Sequence, residues 1–346
     1  MKTTAAGLGV VLLDLDQKLQ TTRCLRSLAA GSRLPNLVVV VANGRKHFEV
    51  DALAHLGRLP LVVLRPGKNL GCAGGRNLGL EYLFQHTSLA RFVVLDNDTV
   101  VPADFLENVA SAELDFLEVA APVIYDLSSG TVWSSGGLTR RDGSISQLTD
   151  PIPDTAPAKE VDWAPGACLI ASRETWARVG PFDAWMGFLF EDVDWCHRLT
   201  AIGGRVLLRP NLSLLHEANQ SLGGKWSPKR VHLWARNGTV FRIVTMKVGL
   251  WSTTAWLATE STLAVRDLCA GKARCFLARA TGLALGVWAS LLRRREPSTG
   301  VSHTASHALI TDSVVPGERR GIGFGASEST TERHPDPLAQ RGGHHT

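Results

Sequence analysis

Four stretches of this chain are apolar at almost every position and rich in β-branched residues: Val10–Leu13, Leu37–Val41, Leu61–Leu64 and Phe92–Leu95. A strand with water on one side alternates apolar and polar residues. An uninterrupted apolar run needs cover on both faces, which is the situation of a parallel strand in a helix-flanked sheet. Between the runs, Cys24, Leu25 and Leu28 give Thr21–Leu28 a helical spacing, and Asn77–Phe84 reads as a helix entered through a Gly-rich turn. This alternation predicts an α/β fold with a Rossmann-like, doubly wound and mostly parallel sheet, whose ligands bind beyond the carboxyl ends of the strands. A length of 346 residues suits one large domain or two small ones.

Composition narrows the function. Apolar residues make up 45% and charged residues 20%, as expected for a chain with a real core. The formal charge is +5, with Arg far outnumbering Lys. That balance permits contact with nucleotide phosphates or anionic lipid, but no aromatic-basic stripe or helix-turn-helix pattern points to nucleic acid. The six cysteines show no CxxC spacing and several lie in apolar segments, which reads as reduced core thiols of a cytoplasmic protein. Asp14 and Asp16 interrupt the apolar N-terminus, so it reads as a first strand rather than a signal peptide.

Four segments carry chemistry. In FVVLDNDTVVPADFL (92–106) a buried strand delivers Asp96 and Asp98, spaced i and i+2, to its carboxyl end, where an extended chain would point both to one side and toward one divalent cation. The plainer reading is an Asp-rich turn. In NLGCAGGRNLGLEYL (69–83), Gly74-Gly75 lets backbone approach a ligand and a helix beginning near Asn77 would aim amide donors at it, although a tight strand-to-helix turn reads the same way. In GPFDAWMGFLFEDVDWCHRL (180–199), Glu191, Asp192 and Asp194 precede a helix, either as simple helix-start acids or as the source of a general base at a pocket edge. In RVLLRPNLSLLHEANQS (205–221) a strand ends at His216, which is a metal-ligand candidate because other ligands are expected nearby.

Residues 126–160 are rich in Gly, Ser, Asp and Pro and read as hairpins or a long loop near the site. From Val248 to Leu292 the chain is apolar and helical. Its longest uncharged stretches, Val248–Thr259 and Ala280–Leu292, are short for a bilayer span. An in-plane membrane-associated hairpin, on the inner face of the cell membrane, and a pair of core or homodimerisation helices are both compatible with this pattern. Residues 296–346 are rich in Ser, Thr, Gly, Pro and His and read as a disordered tail. Three segments follow: 1–245 for the chemistry, 246–295 helical, and 296–346 the tail.

Taken in order, these motifs resemble those of the family 2 glycosyltransferases, in the rhamnosyltransferase-like and galactofuranosyltransferase-like branch. The matching positions are Asn69–Gly79, Asp96–Thr99 with Pro102, Gly166–Arg173, Gly180–Asp183, Glu191–Asp194, Pro210–His216 and Arg236-Asn237, over about residues 8 to 243. The resemblance implies an A-type glycosyltransferase fold. It also implies an inverting transfer from a nucleotide-sugar, dTDP- or UDP-linked, to a hydroxyl of a lipid-linked glycan or small-molecule aglycone. On that basis Asp96 faces the ribose and diphosphate, and Asp98 and His216 ligate Mn²⁺ or Mg²⁺. Asp192 is the catalytic base, Glu191 and Trp195 shape the acceptor side, and Asn43, Gly74, Gly75 and Asn77 line the donor.

Two positions depart from the family pattern. The first strand ends in Asp14-Leu15-Asp16 where Thr-Tyr-Asn is usual, and the second in Val41-Ala42-Asn43 where Val-Asp-Asn is usual. The carboxylate that would hold the nucleobase is therefore missing, with Asp14 or Asp16 as its substitute. A binding-only pseudo-enzyme is the competing reading. A sugar nucleotidyltransferase lacks support, because the N-terminus has neither a Gly-rich, Arg-containing loop nor a downstream Pro-Lys.

Overall fold

The apolar runs become strands β1 (Leu8–Asp14), β2 (Leu37–Ala42), β3 (Leu61–Leu64) and β4 (Arg91–Asp96), with α1 (Lys18–Ala29) after β1 and α2 (Gly71–His86) after β3. The computed structural model describes residues 7–44, 59–217 and 227–293; the expected tail at 296–346 lies outside them. Beyond β4 the chain forms β5 (Thr99–Val100), α3 (Phe105–Ser111) and β6 (Glu118–Asp126). Four short strands follow: β7 (Val132–Ser134), β8 (Gly137–Thr139), β9 (Ile145–Gln147) and β10 (Lys159–Val161). Then come β11 (Cys168–Ser172), α4 (Arg173–Val179), α5 (Glu191–Ala201), β12 (Arg205–His216) and α6 (Pro228–Val240). A π-helical turn at Phe241–Thr245 leads to α7 (Leu250–Cys269) and α8 (Ala273–Arg293).

The main sheet runs β3-β2-β1-β4-β11-β6-β12-β10. The pairings give β1, β2, β3, β4, β6 and β12 one direction, with β11 and β10 opposed. The sheet is thus mostly parallel, as expected. Alternate residues of each strand enter two separate cores. Val11, Val39, Val94 and their neighbours face α2, whereas Val10, Val38 and Val93 face Cys24, Leu25 and Leu28 of α1. Burial on both sides is what removed the alternation from the sequence. The Gly- and Ser-rich region forms the β8–β9 hairpin and the short edge strands, as its turn residues suggested.

Two expectations need correction. Helix α2 starts at Gly71, not near Asn77, so Gly74 and Gly75 sit within it. Low intrinsic propensity made this segment look like a turn. The helix forms because its small face seats on the sheet: a Cβ at Gly75 would lie 2.2 Å from Leu13 Cδ1. The second concerns the C-terminus. Helix α8 extends through Arg274 and Arg279 to 21 residues, with a mean hydropathy of 1.6 over its most apolar 18, so by length and composition it is long enough to cross a membrane.

Candidate active site

An open cleft lies beyond the carboxyl ends of β1, β2 and β4, floored by Leu13, Asn43 and Asp96. The chain runs outward from β1 through β2 to β3 and then returns to place β4 on the other side of β1. Such a reversal splays the loops apart and opens a crevice.

Strand β4 ends at Asp96, and a turn through Asn97 and Asp98 leads into β5. The two carboxylates converge through this turn and not through the alternation of an extended strand, as the i, i+2 spacing suggested. Thr99 Oγ1 donates to the Asp96 carbonyl at 2.7 Å, and Asn97 Nδ2 donates to Thr21 Oγ1 at 2.8 Å, fixing the turn from both sides. β5 pairs with the end of β12, opposing Thr99 to His216, and the Glu217 amide donates to the Asp98 carbonyl at 2.9 Å. Backbone pairing therefore carries His216 to Asp98 across more than a hundred residues of sequence.

One ligand atom from each of Asp96, Asp98 and His216 lies within 4.8 Å of the other two. Asp98 Oδ1 is 3.1 Å from His216 Nε2, yet it is buried and no hydrogen bond is directed at it. Burial pushes the His216 imidazole pKa down, but attraction to Asp98, Asp96 and Asp126 outweighs it and leaves it above its ordinary value. The edge of Trp133 packs on the ring, with centroids 4.5 Å apart. Two carboxylates and one imidazole suit a divalent cation of the Mg²⁺ or Mn²⁺ class, and an orphaned buried carboxylate oxygen fits a site built for one.

The opposite wall is assembled by Arg76, which the motif reading passed over as a variable position. Its guanidinium is 2% exposed and donates to Asp96 Oδ1 at 2.8 Å and Glu191 Oε1 at 3.0 Å. One cation thus faces a buried carboxylate, Glu191, and a half-buried one, Asp96, with Asp192 and Asp98 nearby. Burial, then Asp192, push the Glu191 carboxyl up to about 8, against the pull of Arg76. Burial likewise raises Asp96, opposed by Arg76 and helped by Asp98. The only sequence signal for Arg76 was a charge inside an apolar, Gly-rich segment, which calls for a partner when buried.

Asp192, the second residue of α5, is half-buried. Its Oδ2 accepts from the Gly166 amide and its Oδ1 from the Val193 amide, both at 2.8 Å. The loop before it is held by the Arg236-Asn237 pair of α6. Asn237 Nδ2 donates to the carbonyls of Met186, Phe188 and Leu189, and Arg236 to those of Trp185 and Met186. The clamp sustains positive φ at Leu189 and Phe190, both 69°, a conformation costing on the order of 1–2 kcal/mol per non-glycine residue. This is the structural reason for the Arg-Asn motif.

Several expected site residues are scaffold. Trp195 is fully buried, donates to the Gly180 carbonyl at 2.8 Å and packs on Trp176 and Phe182, so it presents no surface to an acceptor. Glu191 is committed to Arg76. Asn77 exchanges two hydrogen bonds with the backbone of Phe182, at 2.8 and 2.9 Å. Gly74 and Gly75 are helix positions, and the Cys72 and Ala73 amides at the start of α2 already donate to the Gly187 carbonyl. The expected phosphate cradle at this helix start is therefore occupied by protein. Asp14 is 3% exposed and accepts from Thr21 Oγ1 at 2.5 Å, with burial raising its pKa and that hydrogen bond opposing the rise. It braces the first loop and does not face the cleft. Asn43 lines the cleft, but its amide is engaged by the Leu70 amide and Gly71 carbonyl. Gln17, Phe188 and Lys229 line the cleft without having been anticipated.

Residues 92–290 match Glycosyl transferase family group 2. No curated protein matched the sequence. Among solved structures, the chain is similar to the crystal structure of GalNAc-T7 with UDP, GalNAc and Mn²⁺, at a TM-score of 0.53 and 14% identity over 70% of this chain and 50% of that one. It is also similar to the mannosyltransferase PcManGT from Pyrobaculum calidifontis in complex with GDP-Man and Mn²⁺ (TM-score 0.47, 14% identity, 83% of this chain and 88% of that one). Similarity extends to S. aureus TarS (TM-score 0.45, 15% identity, 73% and 42%). The chain spans half the length of the GalNAc-T7 chain and less than half of the longer TarS chain. The mixed sheet with its C-terminal helices is that of an A-type glycosyltransferase fold, and with the match covering more than half of its residues the chain belongs to glycosyl transferase family group 2.

Proposed function

We propose that this protein is an inverting glycosyltransferase that moves a sugar from a dTDP- or UDP-linked donor to an acceptor hydroxyl. The observation that carries the reading is the convergence of Asp96, Asp98 and His216 within 4.8 Å at the mouth of a cleft beyond the parallel strands. The order of motifs, similar to the rhamnosyl- and galactofuranosyltransferase-like branch, supports the donor class. The acceptor is a lipid-linked glycan or a small-molecule aglycone.

Asp98 and His216, with Asp96 beside them, would hold Mn²⁺ or Mg²⁺. When bound, the ion acts as a Lewis acid that stabilises negative charge developing on the leaving diphosphate. Lys229 adds positive charge at the same cleft wall. Arg76 fixes Asp96 so that its second oxygen can accept from the donor. Asp192, half-exposed and oriented by two amides, takes the proton of the attacking hydroxyl. Attack from the face opposite the departing diphosphate inverts the anomeric centre, as in single-displacement glycosidases. Of the two acids offered in place of the missing carboxylate, Asp16 is the better placed: it is half-buried at a left-handed turn (φ 59°) and its carboxylate lies against Gly44 at the end of β2.

The test is product analysis with dTDP- and UDP-sugars and Mn²⁺, against lipid-linked and aglycone acceptors. Release of nucleoside diphosphate with a glycoside of inverted configuration is expected. Folded protein that binds donor without turnover is the pseudo-enzyme outcome, and retained configuration overturns the role given to Asp192.

A further inference from the structure

The α7–α8 hairpin is built inside out for a helix pair in water. Helix α8 packs on α6 through small residues: a Cβ at Gly282 would lie 2.5 Å from the His232 carbonyl oxygen, and one at Gly286 2.7 Å from that of Arg236. Ala289 and Ser290 are buried beside them. The large apolar residues point the other way. Leu277, Leu285, Trp288, Leu291 and Leu292 are 43–59% exposed, and their spacing places them on one stripe of the helix. Helix α7 also turns large apolar residues outward, with Leu250 and Trp251 more than 80% exposed and Val265 and Leu268 on the same stripe. A surface helix in water turns its apolar stripe to the core, whereas small residues inward and large ones outward is the pattern of helices bathed in lipid.

Charge identifies the occupant. Residues 246–293 contain only two acids, Glu260 and Asp267, and both pair with the buried Arg279, Asp267 at 3.0 Å. The exposed charges of this region are Lys247, Arg266, Lys272 and Arg274, all basic. An apolar face with a wholly basic rim complements anionic lipid, and would repel the same rim on a second copy. Although α8 has the length to span a bilayer, its inner face is occupied by α6 and Arg279 is tied to α7, so the hairpin lies along the protein. Trp256 anchors α7 in the same way, donating to Thr239 Oγ1 at 3.1 Å and lying 3.6 Å from the Arg242 guanidinium.

We propose that the outer face of the α7–α8 hairpin is a docking surface for an anionic lipid bilayer, on which the protein rests in the plane of the interface. Helix α8 ends at Arg293, which pairs with Asp183 and lies 4.8 Å from the Trp185 ring in the loop leading to Glu191. On the reading proposed above, with Asp192 as base, docking would bring the loop that leads to it beside the lipid surface.

The experiment is co-sedimentation of the full chain with vesicles of phosphatidylcholine containing phosphatidylglycerol, and with phosphatidylcholine alone. The expected result is partition into the anionic vesicles. Trp251→Ser and Trp288→Ser should each reduce it about tenfold or more, the loss of one inserted aromatic. Lys272→Glu with Arg274→Glu should abolish the preference for anionic lipid. All of these side chains are exposed, and an unchanged thermal melt shows each variant folded. Failure of the unaltered chain to partition, or partition indifferent to both tryptophans, overturns the proposal. So does a dimer, seen by sedimentation without vesicles, that Trp288→Ser dissociates, because that assigns the face to a second copy. None of these readouts depends on turnover.

Discussion

The two walls of the cleft use carboxylates in opposite ways. On one wall a protein cation, Arg76, pairs with Asp96 and Glu191 together, although Arg76 Nε and Glu191 Oε2 are left without a hydrogen-bond partner. On the other, Asp98 and His216 are brought to 3.1 Å by strand pairing, yet a buried oxygen of Asp98 and Nδ1 of His216 have no hydrogen-bond partner. The first wall holds its acids with a cation of its own and should matter to folding as much as to chemistry. The second is organised for a cation and should matter to chemistry far more than to folding. An acid's partners, not its motif, separate the two roles.

The sharpest way to break this contrast is Asp98→Ala. Turnover should fall by at least about 10³-fold, corresponding to several kcal/mol of lost charge stabilisation, with the Mn²⁺ response gone and the unfolding midpoint unchanged or raised. A large stability loss instead would erase the distinction between the walls. Asp192→Asn should reduce transfer by about 10²–10⁴-fold while donor binding, read by thermal shift, persists; near-normal rates would remove Asp192 as the base. On the Arg76 wall, Arg76→Ala leaves the buried Glu191 and the half-buried Asp96 without their cation and should cost about 3–5 kcal/mol in urea unfolding. Adding Glu191→Gln to that variant should recover part of the loss.

Gly75→Ala tests whether the glycines of α2 serve packing or donor contact. Its Cβ meets Leu13 Cδ1 at 2.2 Å, so a destabilisation of about 1–3 kcal/mol is expected, and an altered donor KM with no change in melting would favour ligand contact. The smallest effect is a pH slope. The Glu191 carboxyl is raised from 4.5 to about 8 in the folded protein. The native state therefore holds an extra proton between those values, and this residue's favourable contribution, full below pH 4.5, is lost as pH rises toward 8. Urea midpoints of the unaltered chain, compared with those of Glu191→Gln from pH 5 to 8.5, should fall more steeply; parallel curves would show that Arg76 keeps Glu191 ionised throughout.

How much could be read from the sequence depended on whether the signal was local. Both-face burial of β1 to β4 leaves continuous apolar runs, so the sheet was legible, and the acids at the end of β4 and the histidine at the end of β12 pointed to Asp98 and His216 as candidates. Gly74 and Gly75 misled because helix propensity is a local property, whereas the fit of a flat helix face on β1 is not. Trp195 misled because an aromatic beside an acidic motif has the same sequence whether it faces a cleft or Trp176.

By itself, then, the sequence determined the α/β class, the strands and the acids at their ends, since each follows from the pattern of a few neighbouring residues. The tertiary structure alone decided which acids share Arg76 and which face His216. It also decided that Asp14 braces a loop, that the start of α2 is capped by Gly187, and that the C-terminal hairpin turns its leucines and tryptophans outward. Those outcomes rest on contacts between residues far apart in the chain, where charge pairing and steric fit outweigh local preference.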